Sequence, residues 1–502
     1  MSMSIKHFLL LALLVMLQAC GGGSSKTPDT GGNPVPSSSL SSPLSSSLGS
    51  GPLSSASSSS ISLSSNSSTS SSLSSSSVPN DLPVGTVAAL PVLNLNTDNA
   101  AEINSRETYV KGNFSLSAEG VADVSGTLEV RGRGNSTWDF PKKPYRLKLT
   151  NSTALLGMPK GKNWVLLANY ADKTLIRNDI AFMFSRSLGF EWTPRSQHVE
   201  LRLNGVYQGV YQLVEHIRVD ANRVNIDELK IDDIGSDKIT GGYLMEVDFR
   251  MSKSFCFYGN PDPSCANSVN GSNPQREVEF CLDSDHGMEP ACLASPETLL
   301  DPLWVNQRNY IQTYYANAEA ALFGANFKDP VLGYAAYFDV DSVVNYYIEN
   351  ELFKNIDGAS ASFFLYKKRG GKFFFGPIWD FDLAMGNAGY AGASDPEKWH
   401  IRNAPWFAQF FKDPAFEAKV KARWKTLKDE GKIDYIFQYA QARATWLDAQ
   451  QKKNYELWSI TDVVEWIMHG THGGTGSYEA EVKELIRWQR ERTNWIDSQL
   501  SQ

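Results

Sequence analysis

The chain has 502 residues, 42% hydrophobic and 20% charged, with 47 basic against 55 acidic side chains and a net charge of -8. This length exceeds what one small core needs, and the composition excludes a polytopic membrane protein and a chain disordered throughout. The acidic balance argues against a protein that lives on nucleic acid.

The first twenty residues read as an address. Lys6 precedes Phe8–Leu17, an unbroken apolar run of ten. A spanning helix needs about 20 residues, so this run suits the hydrophobic region of a secretory signal instead. Leu17-Gln18-Ala19-Cys20 resembles a bacterial lipobox. Residues 1–19 are therefore expected to be a lipoprotein signal peptide, with Cys20 lipidated, since several acyl chains anchor more firmly than one. Gly21 after the cysteine points to the outer membrane. The expected location is the bacterial cell envelope, with membrane contact through the lipid anchor only. Residues 20–80 form a Ser-rich linker, with 27 Ser among the 41 positions from Ser37 to Ser77. Such a composition buries too little apolar area to offset ordering entropy. The folded region is expected over 81–502.

Strand signals dominate its first half. Thr127–Arg133, Tyr145–Leu149, His198–Leu203 and Val206–Val214 carry β-branched and aromatic residues, and Asn204-Gly205 is a hairpin turn. Six cations, Arg131, Arg133, Lys142, Lys143, Arg146 and Lys148, gather around Asp139. Alternation puts Tyr145, Leu147 and Leu149 on one face and Arg146 and Lys148 on the other. The G-x-G at Gly132–Gly134, followed by Asn135 and Ser136, offers backbone N–H groups to a phosphate. The plainer alternative is a solvated basic face with a glycine turn. No G-x-x-x-x-G-K-[ST] run occurs, which excludes a Walker-type loop. A helix over Thr174–Leu188 follows from the spacing of Ile176, Ile180, Met183 or Phe184, and Leu188, with Gly189 as its stop.

Cys256, Cys265, Cys281 and Cys292 lie within 37 residues, in a segment of about 251–296 that looks like an insertion. An even set outside the cytoplasm reads as two disulfides of open connectivity; the spacings lack the close pairs a zinc site favours. From about 297 helices dominate. Asp341 is placed to cap a helix through Val344, Ile348 and Leu352, and further helices read over about 413–449 and 478–499. The sum is an α+β fold with two lobes, β-rich then helix-rich, and a cleft between.

The sharpest chemical signal lies in the second half. The run Asn355-Ile356-Asp357-Gly358 precedes a strand, Ala361–Lys367; a second strand, Lys372–Ile378, ends in Trp379-Asp380-Phe381-Asp382. A hairpin folded at Arg369-Gly370-Gly371 brings Asp357 and Asp380 to its open end. Clustered carboxylates repel unless a proton or cation intervenes, and oxygen-only ligands suit Mg2+ or Mn2+. The plainer alternative is a set of capping and turn aspartates. His469 and His472 sit in a Gly-rich loop without carboxylate spacing and read as structural, and Trp399, Trp406, Trp424 and Trp446 read as core before sugar platforms. No H-E-x-x-H or G-x-S-x-G run occurs.

Taken in order, RGNSTWDFPKKPYRLKL, WVLLANYADKTLIRNDIA, VELRLNGVYQGVYQLVEH, GGYLMEVD and FFFGPIWDFDLAMGN resemble the CotH kinase family, relatives of the spore-coat protein H, over about residues 126–415. The resemblance implies a two-lobed atypical protein-kinase-like fold using ATP and Mg2+ or Mn2+. It implies Asp357 as the catalytic aspartate and Asp380 as the metal ligand, with Asp382 an additional acidic position. Lys148 falls where a strand lysine meets nucleotide phosphates, with Asp179 or Asp172 as its partner, and Glu215 leads into the hinge. Arg133, Asn135, Ser136, Lys143, Lys148 and Glu215 are thus the expected nucleotide-binding residues. The four-Cys insertion departs from the family pattern. The expected function is an exported kinase-like phosphotransferase acting on a protein or surface acceptor. The alternative is a catalytically inactive binding or adhesion module of the cell surface, with a possible association with polysaccharide.

Overall fold

A computed structural model describes residues 89–256, 265–268, 272–462 and 475–501. The signal, Cys20, the linker, His469 and His472 lie outside these residues.

Seven strands build the first half: β1 (Val92–Thr97), β2 (Val110–Ala118), β3 (Val121–Gly132), β4 (Tyr145–Leu155), β5 (Met158–Leu167), β6 (Ser196–Leu203) and β7 (Val206–Glu215). They close into a barrel of order β1-β2-β3-β4-β5-β7-β6, sealed by a parallel pairing of β1 with β6, Val92 opposite Glu200. Alternation fills the interior: Tyr145, Leu147 and Leu149 point inward and meet Leu95, Phe114, Val130, Trp164, Leu201 and Tyr211. At the β6–β7 turn Asn204 and Gly205 have φ of 51° and 82°, the paired positive values a two-residue hairpin needs. Sequence reading placed β3, β4, β6 and β7 but not β1, β2, β5 or the closure. Closure removes the exposed edges that an open sheet would leave.

A second sheet has order β12-β11-β8-β10-β9, from β8 (Tyr243–Val247), β9 (Cys281–Leu282), β10 (Ala291–Ser295), β11 (Phe363–Lys367) and β12 (Phe373–Phe375). The insertion is thus woven into the sheet: β10 pairs with β8, and β9 with β10. Cys281 and Cys292 face each other across β9 and β10 and are disulfide-bonded; Cys256 bonds Cys265. All four thiols are consumed, which removes the zinc alternative.

Besides the single turn Ser136–Asp139, seven helices of the described residues carry the rest: α1 (Arg177–Leu188), α2 (Val305–Phe323), α3 (Val340–Leu352), α4 (Pro405–Phe410), α5 (Pro414–Asp429), α6 (Lys432–Leu457) and α7 (Tyr478–Leu500). Gly189, at φ 80°, stops α1 as its position suggests. Asp339, not Asp341, caps α3, its carboxylate accepting from the Ser342 N–H at 2.8 Å. Asp341 lies in the first turn, on an exposed pair with Lys419. Gly431, at φ 69°, divides the expected 413–449 helix into α5 and α6.

Helix α6 bolts the barrel down. Lys142 is buried and donates to the Val210 carbonyl and to Asn454 Oδ1, so this member of the basic run is a fastener rather than a surface charge. Asp179 of α1 is buried against Arg443 at 2.5 Å and accepts from the Tyr439 hydroxyl. Trp406 and Trp424 are core residues; Trp399 packs edge-on against Trp495, and Trp446 lies under Arg443.

Candidate functional site

The hairpin that carries the aspartates is built from local signals. Strands β11 and β12 pair with Leu365 opposite Phe375 and Lys367 opposite Phe373, so the chain folds back across the Arg369-Gly370-Gly371 turn. Asp357 precedes β11 and Asp380 follows β12, and both emerge at the open end. The loop around Asp357 is held from beneath. Tyr346 donates to the Gly358 carbonyl at 2.8 Å, Asn355 to Asn350 Oδ1 at 3.1 Å, and His400 Nε2 lies 3.1 Å from the Ile356 carbonyl. Gly358 is obligatory, because a Cβ there would run into the Asn350 amide. Asp380 has φ of 66°, an unfavourable conformation for a residue with a Cβ, and its carboxylate accepts from the Ser362 hydroxyl at 3.2 Å. The N-terminal end of α1 grips the following segment: Asn178 Oδ1 accepts from the Phe381 N–H at 2.8 Å, and Arg177 Nε donates to the Ala384 carbonyl at 3.1 Å.

Burial first, then Asp380, pushes the Asp357 carboxyl up to about 7. Burial, then Asp380 and Asp357, holds Asp382 well above the usual carboxylate range, with a hydrogen bond to Asp380. Glu246 of β8 is raised to about 8 by burial and then by Asp248. Positive charge faces this set. Arg250 clasps Asp248 through Nε at 2.8 Å and Nη2 at 2.5 Å. The guanidinium of Arg133 lies 5.6 Å from the Trp379 ring, where Asp380, Glu246 and Asp382 attract it. With its amide oxygen turned toward Arg250, Asn135 accepts from Nη2 at 2.9 Å.

The donor set fits a hard divalent cation. Burial and the nearby charges of Asp380 and Asp357 disfavour a bare Asp382 carboxylate, a cost that either a proton or a bound cation relieves. Among the described residues no three His, Cys, Asp or Glu side chains form a closed cage. A cation held here takes its remaining oxygens from a ligand, as Mg2+ commonly does.

The structure thus brings together Asp357, Asp380, Asp382, Arg133 and, through Arg250, Asn135. Other expected residues go elsewhere. Lys148 is 52% exposed and pairs with Glu129 at 3.2 Å; the expected pair with Asp179 does not form, because that carboxylate is committed to Arg443. Asp172 is not its partner either, being bound to Arg177 and Thr174. The Glu215 carboxylate is buried on Arg195 at 2.9 Å. Lys143 donates to the Trp138 carbonyl at 2.6 Å, and Ser136 is exposed at the start of the single helical turn Ser136–Asp139. The glycines of the G-x-G serve packing: a Cβ at Gly132 would strike the Trp138 ring, and one at Gly134 the Thr137 hydroxyl. The N–H groups of Gly132 and Arg133 already donate to Ser105 and Pro144 carbonyls, so they are not free for a phosphate. Sequence reading missed Glu246, Asp248 and Arg250; the available signal was the charged alternation that ends the GGYLMEVD string.

An α+β protein whose clustered carboxylates confront guanidinium groups has the chemistry of a site for metal-assisted handling of anions. The chain belongs to the CotH kinase family: the family model described as CotH kinase protein matches residues 130–496. The match begins inside β3 and covers every site residue but neither β1 nor β2. No curated protein matches the chain.

Proposed function

We propose that the protein is an exported atypical kinase, a two-lobed phosphotransferase that moves phosphate from a nucleotide to a protein or surface acceptor with a divalent cation. The observation that carries this reading is Asp357, a carboxyl raised to about 7 beside the Asp380–Asp382 pair. A base poised near neutral pH suits removal of the acceptor hydroxyl proton. Asp357 takes that proton while its loop, fixed by Asn350, Asn355 and Tyr346, keeps the carboxylate aimed. Asp380 and Asp382 hold the cation, which when bound neutralises charge on the donor phosphates. Arg133 supplies further positive charge from the barrel side. Catalysis here is positioning and charge neutralisation.

Calorimetry with Mg-ATP and Mn-ATP, together with transfer of labelled phosphate, tests the assignment. Asp380→Ala is expected to abolish metal-dependent nucleotide binding. Asp357→Ala is expected to spare binding and abolish transfer, since it removes an interaction made only in the transition state. One observation favours a second reading, a catalytically inactive surface-binding module: Lys148 is turned to Glu129 and away from the carboxylates. Wild-type protein that neither binds nucleotide nor labels itself or envelope extracts would establish that reading. We also propose lipid anchoring at Cys20 in the outer membrane; unchanged membrane fractionation of Cys20→Ser would refute it.

A further inference from the structure

The barrel wall beside the carboxylates carries more positive charge than its ion pairs use. Arg131 of β3 and Arg146 of β4 are direct cross-strand partners, an arrangement of like charges that costs stability. Arg133 is two residues along from Arg131 and so continues the same face toward Trp379. His216 and Arg218 follow β7 directly. None of these five side chains is fully buried. Yet Arg146 Nε and His216 Nδ1 are shielded from solvent with no hydrogen-bond partner among the described residues. Burial, and then Arg146, Arg133, Arg223 and Arg218, hold His216 well below the usual imidazole range. Four arginines so concentrated, with Arg146 Nε left without an acceptor and a neutral His216 beside them, make a binding surface for a multiply charged anion.

At the end of β7, the edge next to this wall, polar groups that could read a base are already committed. Glu215 gives its carboxylate to Arg195, with Arg223 at 3.9 Å, and its N–H donates to the Arg195 carbonyl at 3.0 Å. The His216 carbonyl accepts from Arg223 Nη1 at 3.1 Å.

We propose that the wall of Arg131, Arg133, Arg146, His216 and Arg218 binds the polyphosphate chain of the donor, and that the donor is selected by its phosphates with little reading of its base. Inorganic tripolyphosphate then occupies the same site as a nucleoside triphosphate. The use of this site rests on the phosphotransferase reading above; the binding claim stands by itself.

The test is calorimetry on the full chain with Mg2+ and ATP, GTP, inorganic tripolyphosphate or adenosine. ATP, GTP and tripolyphosphate should bind within about fivefold of one another and compete, and adenosine should not bind, because the charged hydrogen bonds carry the affinity. Arg146→Gln should weaken all three by at least about tenfold, the loss of one charge-assisted contact. Arg218→Gln, at an exposed position, should weaken all three by a common, smaller factor, and thermal unfolding shows that both variants are folded. Adenosine binding without tripolyphosphate competition, binding of none of the four ligands, or folded variants with wild-type affinity would overturn the proposal. Transfer from ATP is scored separately. Transfer that tripolyphosphate does not inhibit sinks this inference and leaves the phosphotransferase reading; Arg146-dependent tripolyphosphate binding without any transfer does the reverse.

Discussion

Replacing Asp357 by Asn should flatten the pH dependence of stability. In the folded protein the Asp357 carboxyl keeps its proton up to about 7, against 3.8 for an ordinary aspartate. Between those two pH values the folded state binds more protons than the unfolded chain, so stability falls as pH rises through that window. Below about 4 and above about 7 the group contributes no slope. The difference corresponds to about 4 kcal/mol as a ceiling. For a folded region of this size that is on the order of 5 °C in Tm. The assay is thermal unfolding with a chelator present, from pH 4.5 to 8, on wild type and Asp357→Asn. Glu246 and Asp382 titrate in both proteins, so the comparison is between slopes. Because the range begins above 3.8, the wild type should lose about 4 °C more than the variant across it. Parallel curves would refute the placement of Asp357 in a buried, mutually repelling carboxylate cluster.

Asp179→Ala leaves Arg443 buried without its partner and should cost about 3–5 kcal/mol by denaturant titration, with the slope of the transition unchanged. Replacing Cys281 and Cys292 together by Ala opens a short loop and should cost about 3 kcal/mol, while peptide mapping of the wild type should recover Cys256–Cys265 and Cys281–Cys292 and no crossed pair.

The aspartate hairpin was legible because everything that makes it is local. A glycine turn at Gly370-Gly371, two aromatic strands and acidic residues at both ends lie within 26 residues, Asp357 to Asp382. The barrel was legible only in part. Its interior alternation in β4 followed the pattern, but β1 and β2 present Asn, Ser and Lys outward, and the β1–β6 pairing joins residues that no local signal connects. The strand lysine misled for a related reason. Alternation correctly turned Arg146 and Lys148 outward, yet the outer surface of a barrel curves: Lys148 lies over Tyr109 and against Glu129, while Arg146, two residues earlier, reaches the neighbourhood of His216 and Arg133. Likewise Asp179 had the correct position on α1 to meet a lysine, and only the placement of α6 shows that Arg443 claims it.

The seam of the barrel also sets how this protein folds. Val92 on β1 meets Glu200 on β6, and the middle strand of the second sheet, β8, must wait for β11, with Val247 opposite Phe363. Both sheets are therefore completed by pairings more than a hundred residues apart in the chain. Loop-closure entropy must be met before such contacts contribute, so high contact order makes folding slow. During synthesis from the N-terminus, β3 can cover β2 early, but the outer edge of β1 stays unsealed until β6, which ends at residue 203, has been made. Until then that open edge is exposed to mispairing, and this is the stage at which a holding chaperone has most to protect.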